Sequence, residues 1–204
     1  MKNQTALSRL IAAALAAAAM APVAAQADEG NFLVRARAVG IAPANDGQNV
    51  LNAEVTLNKK VIAEVDFTYF ITPNLAAELI LTYPQKHTVS INGVAAGSLK
   101  HLPPTLTAQY HFLPTGQFRP YVGAGVNYTN ITAVNLPLNL NLDRGSFGFA
   151  IQAGVDVQVA PQVFVNFDIK QVNIETKLRT AAGDEAGTVK VNPVLVGVGV
   201  GYRF

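Results

Sequence analysis

Catalysis by a histidine-activated hydroxyl has few candidates in this chain: beyond residue 27 the histidines are His87, His101 and His111, and the serines are Ser90, Ser98 and Ser146. A nucleophile must meet its base within hydrogen-bond reach. The couples His87/Ser90 and His101/Ser98 are close in sequence, and both fall within residues 84–103, a stretch with the composition of an exposed connection. Polar side chains on a solvated loop account for them, so no catalytic residue is assigned and the chain is read as a non-enzyme. The run Gly197-Val198-Gly199-Val200-Gly201 imitates a phosphate-binding glycine pattern, but no helix follows to supply its N-terminus. No cofactor is implied. With no cysteine, a thiol nucleophile, a disulfide scaffold and a Cys-type zinc site are excluded. His111 stands at the far end of its own segment, too distant from the other histidines to share a metal with them. The chemistry that remains is charge: Arg35, Arg37, Glu64, Asp66, Glu78, Arg119, Asp156, Asp168, Lys170 and Arg203, five basic and five acidic residues set at alternating positions of apolar segments.

Those segments belong to a chain of 204 residues that is 50% hydrophobic and 14% charged, against roughly 25% charged in an average soluble domain. Part of that bias is a leader. Lys2 and Arg9 precede and open an apolar run over residues 10–20, followed by Pro22 and by Ala25-Gln26-Ala27, the arrangement of a secretory signal peptide (residues 1–27) cleaved before Asp28. The run is too short to be a retained anchor, since spanning a bilayer takes about 18 apolar residues or more. Lys2 and Arg9 also carry the formal +2, so residues 28–204 are neutral. They hold no basic footprint for nucleic acid and are expected to form one domain.

Helical periodicity is scarce in that domain, whereas alternation with period two recurs eight times. Phe32, Val34, Ala36 and Ala38 alternate with Leu33, Arg35, Arg37 and Val39; residues 61–71, 75–83, 105–112, 118–128, 147–158, 163–170 and 194–204 behave likewise. The alternation falters near Lys170 and Val172 and at Pro193, which predicts a bulge or a strand end at each. Residues 120–142 carry no charge and are long enough for a membrane helix, but their five asparagines and two prolines argue against one.

An eight-stranded barrel can be a cup in water or a barrel in lipid, and the two differ in which face turns outward. All ten strand charges lie on one parity. If that face met water outside, the other would have to pack Phe67, Tyr69, Tyr110, Phe112, Phe147, Phe149, Phe167, Tyr202 and Phe204 into one narrow lumen. Turned inward, the charged face finds room beside Gly123, Gly125, Gly148, Gly154, Gly197, Gly199 and Gly201, and the apolar face meets lipid. Outward aromatics gather at two levels, Phe32, Phe67, Tyr69, Tyr110, Phe112, Phe118, Tyr202 and Phe204 at one and Tyr83, Tyr128, Phe147 and Phe149 at the other, as interfacial girdles do. Short connections (72–74, 113–117, 160–162) alternate with long ones (42–59, 84–103, 130–145, 172–190), the pattern of periplasmic turns and outer loops. The expected architecture is all-β: an eight-stranded antiparallel transmembrane β-barrel over residues 28–204, in the bacterial outer membrane, with both ends periplasmic.

Three segments carry a resemblance. His101-Leu102-Pro103-Pro104-Thr105 leading into Gln109-Tyr110, the run Phe118-Arg119-Pro120-Tyr121-Val122-Gly123-Ala124-Gly125-Val126-Asn127-Tyr128-Thr129, and the terminal Gly201-Tyr202-Arg203-Phe204 resemble the outer-membrane protein W (OmpW-like) family in strand order. The resemblance implies a narrow barrel with a partly apolar passage, linked to uptake or tolerance of small hydrophobic compounds. Tyr202 and the final Phe204 are similar to an ending that many such barrels share, which implies the signal read by the insertion machinery. The chain departs from many members in having no tryptophan.

The ten inward charges admit two readings, a plug in which acids and bases pair across the lumen and a polar filter for ions. Their balance, and the filling of so narrow a lumen by its own side chains, favour the plug. Above it, Leu136, Leu138, Leu140 and Leu142 alternate with Asn135, Pro137, Asn139 and Asn141. Counted back from Phe147, Leu138, Leu140 and Leu142 point inward and join Ile62, Ile80, Leu102 and Leu195 in an apolar vestibule. Counted forward from the fifth strand they take the opposite face, packing on other loops or lying on lipopolysaccharide. Two functions are expected: passive passage of small hydrophobic molecules from outside into or across the outer membrane, or a structural or stress-adaptation barrel whose outer loops form an interaction surface. The expected partners are outer-membrane lipid and lipopolysaccharide, the barrel-insertion machinery and small hydrophobic ligands.

Overall fold

A computed structural model describes residues 30–42, 49–50, 53–57, 59–91, 94–135, 141–179, 185–190 and 192–204; the expected leader, residues 1–27, lies outside them. Eight long strands carry the architecture: β1 (Phe32–Ala42), β2 (Lys60–Phe70), β3 (Leu75–Thr82), β4 (Thr105–His111), β5 (Phe118–Asn135), β6 (Gly145–Ala160), β7 (Val163–Val172) and β8 (Val194–Arg203). Each pairs antiparallel with the next, and β8 returns to β1 from Leu33↔Arg203 to Ala42↔Val194, closing the sheet into a barrel. Closure satisfies the backbone without a helix, the one alternative open to a chain in lipid. No helix among the described residues is long and apolar enough to cross a membrane.

Burial is inverted relative to a soluble protein. On β2 the buried positions are Ile62, Glu64, Asp66, Thr68 and Phe70, while Val61, Val65, Phe67 and Tyr69 are exposed. Phe149, on β6, is 68% exposed and Arg35, on β1, 0%. The large apolar ring is turned out and the charged guanidinium turned in, so the apolar face is the lipid face. Outward rings touch at the periplasmic rim, Phe32 with Phe67 and Phe204, and Tyr202 with Phe204.

Of the bulge or strand end expected near Lys170 and Val172 and at Pro193, the structure has the strand end: β7 stops at Val172 and β8 begins at Val194. No bulge falls there, since β6 and β7 keep one register from Gln152↔Lys170 to Ala150↔Val172, and the irregularity lies between Gln158 and Ala160. Lys170, Val172 and Ile174 are all buried on the same parity. The break in pattern is compositional, because the lumen itself turns apolar at that height. The long connections are also largely strand. Gln85–Ile91 and Val94–Leu102 form a hairpin that joins β5 through Lys100↔Thr132 and His101↔Ile131. Glu175–Arg179 pairs with Glu185–Lys190, and Ala53–Leu57 pairs with Gln85–Ile91. Neighbouring strands leave the membrane already side by side, so continuing the ladder is the direct way to satisfy their amides.

Candidate functional site in the lumen

The lumen is layered. Its middle is built on Arg35 and Arg37, which β1 sets opposite Asp66 and Glu64 of β2 and opposite Gly201 and Gly199 of β8. The glycines are required for space. A Cβ on Gly199 would stand 2.7 Å from Arg37 Cγ, and one on Gly201 2.7 Å from Arg35 Cγ. Arg35 reaches three carboxylates, Nε to Asp66 Oδ1 at 2.8 Å, Nη2 to Glu78 Oε1 at 2.9 Å and Nη1 to Asp156 Oδ2 at 2.9 Å, and also donates to Thr68 Oγ1. Arg37 lies 3.0 Å from Glu64, 2.8 Å from Asp66 and 3.0 Å from Glu78. Lys170 joins Glu64 at 3.3 Å and Asp168 at 3.8 Å.

Neutral partners that the charge pattern did not pick out complete this layer. Gln152 donates to Glu78 at 2.6 Å, Thr107 to the same carboxylate at 2.9 Å, and Asn166 to Asp156 at 2.8 Å. The Tyr121 hydroxyl donates to Asp168 at 2.9 Å. All sit on the inward parity of their strands, so parity was the signal available for finding them.

Arg119 and Arg203 belong to a different layer. Arg203 stacks over the Phe70 ring at 3.9 Å and donates to the Gly30 carbonyl; Arg119 stacks over Phe164 at 4.8 Å and donates to the Gly116 carbonyl and Gln158. Leu33, Phe70, Ala76 and Phe164 form a buried apolar cluster beneath the charged layer, and the His111 ring lies between those of Phe70 and Tyr121. The periplasmic mouth is therefore closed by apolar side chains lidded with guanidinium groups.

Above the charges the lining is aliphatic. Ile62 and Leu195 pack with Val39 and Ile41, and Leu195 also meets Ala150, Val172 and Ile174. Ile80 is buried on the inner face of β3. Leu102 pairs with the exposed Asn130, so the register sets that position on the outward row and not in the expected vestibule; Leu142 pairs with Leu178, while Leu138 and Leu140 lie outside the described residues. At the rim Asp143 is held by Arg179, whose Nε is 2.6 Å from Oδ1, and that hydrogen bond keeps the carboxyl below its ordinary pKa.

Closed topology, inverted burial and a lumen filled by its own side chains define a small outer-membrane β-barrel. Comparison with known proteins narrows the class: the OmpW family model matches residues 28–204, and the chain belongs to the OmpW family. It is 37% identical to outer membrane protein W of Vibrio cholerae, over 94% of this chain and 96% of that one. The crystal structure of the outer membrane protein OprG from Pseudomonas aeruginosa superposes with a TM-score of 0.73 at 25% identity, covering 88% of this chain and 98% of that one. The solution structure of Escherichia coli outer membrane protein W superposes with 0.62 at 28% identity, covering 86% and 98%.

Proposed function

We propose that this barrel gives small hydrophobic molecules passive passage from outside into the outer membrane. The observation that carries the reading is the aliphatic upper lumen, with Ile62, Leu195, Val39 and Ile41 above a charged layer. An apolar solute gains about 0.8 kcal/mol per methylene buried, in such a vestibule or in lipid alike, so no energy source is needed. Descent past Arg35 and its carboxylates offers it no such gain, which favours a sideways exit. The wall supports one between β3 and β4. Their pairing ends at Ile80↔Thr105; above it Pro103 and Pro104 have no amide hydrogen to extend the ladder. Pro104 gives its carbonyl to Tyr128 on the β5 side, and Thr82 Oγ1 at the top of β3 is buried without a hydrogen bond. In the same reading residues 1–27 are the export leader, and Tyr202 and Phe204 address the chain to the insertion machinery.

The test is uptake of a small apolar substrate by cells carrying matched amounts of wild type, the Ile62→Asn/Leu195→Asn variant or the Leu138→Asn/Leu140→Asn/Leu142→Asn variant. Wild type should exceed barrel-free cells, and both variants should fall toward them. Wild-type uptake no greater than that of barrel-free cells would refute the passage and leave the strand-paired outer hairpins as an interaction surface.

A further inference from the structure

Lys86 and Lys100 lie directly opposite one another in the outer hairpin, and both side chains are exposed. Facing residues of an antiparallel pair project to one side with Cβ atoms roughly 5 Å apart, where like charges repel. Neither ammonium has an ion-pair partner among the described residues.

Register fixes which side of the wall the pair occupies. His101 is opposite Ile131, which is buried in the lumen, and Lys100 is opposite Thr132, one step further on. Lys100, and Lys86 facing it, therefore stand on the outside of the barrel. Height follows from β5: Tyr128 and Asn130 are exposed, and the pairing of Lys100 with Thr132 lies two residues further along the strand than Asn130. Tyr128 belongs to the outer aromatic girdle, which marks the edge of the hydrocarbon. Four residues of tilted strand above it is roughly 10 Å along the membrane normal, the level of the headgroups.

We propose that Lys86 and Lys100 bind a phosphate of an outer-leaflet glycolipid, the phosphorylated sugar headgroup of lipopolysaccharide. A phosphate monoester carries about −1.5 to −2 charges near neutral pH, enough to neutralise the facing ammonium groups together. Lysine suits it as a compact point charge. The site is on the outer wall and is independent of any passage through the lumen.

The test is calorimetric titration of the refolded barrel in detergent with diphosphorylated lipid A, with lipid A stripped of phosphate, and with inorganic phosphate. Lys86→Gln/Lys100→Gln should bind diphosphorylated lipid A roughly thirty-fold more weakly than wild type, the loss expected for two lysines at an anionic surface. Lys86→Arg/Lys100→Arg should retain affinity, and lipid A without phosphate should no longer distinguish wild type from the glutamine variant. Heat-modifiable gel migration should be unchanged in both variants, since the side chains are exposed. Equal binding of phosphorylated lipid A by wild type and the glutamine variant overturns the proposal. So does a comparable loss in Arg144→Gln, which would reduce the effect to net charge, or binding of inorganic phosphate as tight as that of the lipid.

Discussion

Replacing Arg35 by leucine removes a guanidinium that is 0% exposed and paired with Asp66, Glu78 and Asp156. Buried pairs contribute little net stability, because desolvation offsets attraction, but breaking one from a single side strands the other charge and costs about 3–5 kcal/mol. The network decides where in that range the variant falls. Asp66 and Glu78 keep Arg37, at 2.8 and 3.0 Å. Asp156 keeps the Asn166 amide at 2.8 Å and faces Arg119 across the β5–β6 pair. Because each acid retains some support, the expected loss is near the lower end, about 3 kcal/mol, read from reversible urea unfolding in lipid vesicles. A second substitution sharpens the argument. Asp156→Asn alone should destabilise, since it removes an acceptor from Arg35; added to Arg35→Leu it should restore about 1–2 kcal/mol by removing the stranded charge, a coupling typical of residues in contact. A cost below about 1 kcal/mol for Arg35→Leu, or simple additivity of the two changes, would refute the account of the layer as one interdependent network.

Other outcomes follow from the same geometry. Gly199→Ala should cost about 1–3 kcal/mol by overpacking, because its Cβ would meet Arg37 Cα at 2.8 Å, whereas Gly197→Ala, with its nearest atom at 3.4 Å, should be almost neutral; loss of heat-resistant gel migration reads both. In planar bilayers the wild type should show no stable, wide, ohmic conductance, and Arg35→Ala/Arg37→Ala should raise conductance; wide wild-type channels abolished by altering Asp66 or Arg119 would overturn the plug. At the rim, Arg179 holds the Asp143 carboxyl below its ordinary 3.8, so the folded state favours the ionised form. Its contribution is complete above that value and is lost as pH falls through the lowered one. Amide exchange around Glu175–Arg179 should accelerate over that acid range in wild type, and the acid step should vanish in Arg179→Gln.

Lipid is the reason so much was legible in the sequence. A strand facing hydrocarbon on one side and a filled lumen on the other must alternate at every step, so Arg35, Asp66, Glu78 and Lys170 could be assigned to the interior from parity alone. Parity says nothing of height. Which carboxylate meets which guanidinium depends on the stagger of strands around the barrel, and that stagger brings Arg35 to Asp156, 121 residues away, while leaving Arg119 and Arg203 over aromatic rings at the base. Val172 shows the same limit: an apolar residue at an inward position looks like a break in the alternation until the lumen is known to change from ionic to aliphatic at that level, where β7 ends. Outside the membrane the constraint lapses, since water can satisfy the backbone. Residues 84–103 carry no sharp alternation to announce their hairpin, although the facing Lys86 and Lys100 it creates exist only because those strands pair. Faces are therefore written in single strands, whereas layers and outer sites are written in how the strands are staggered.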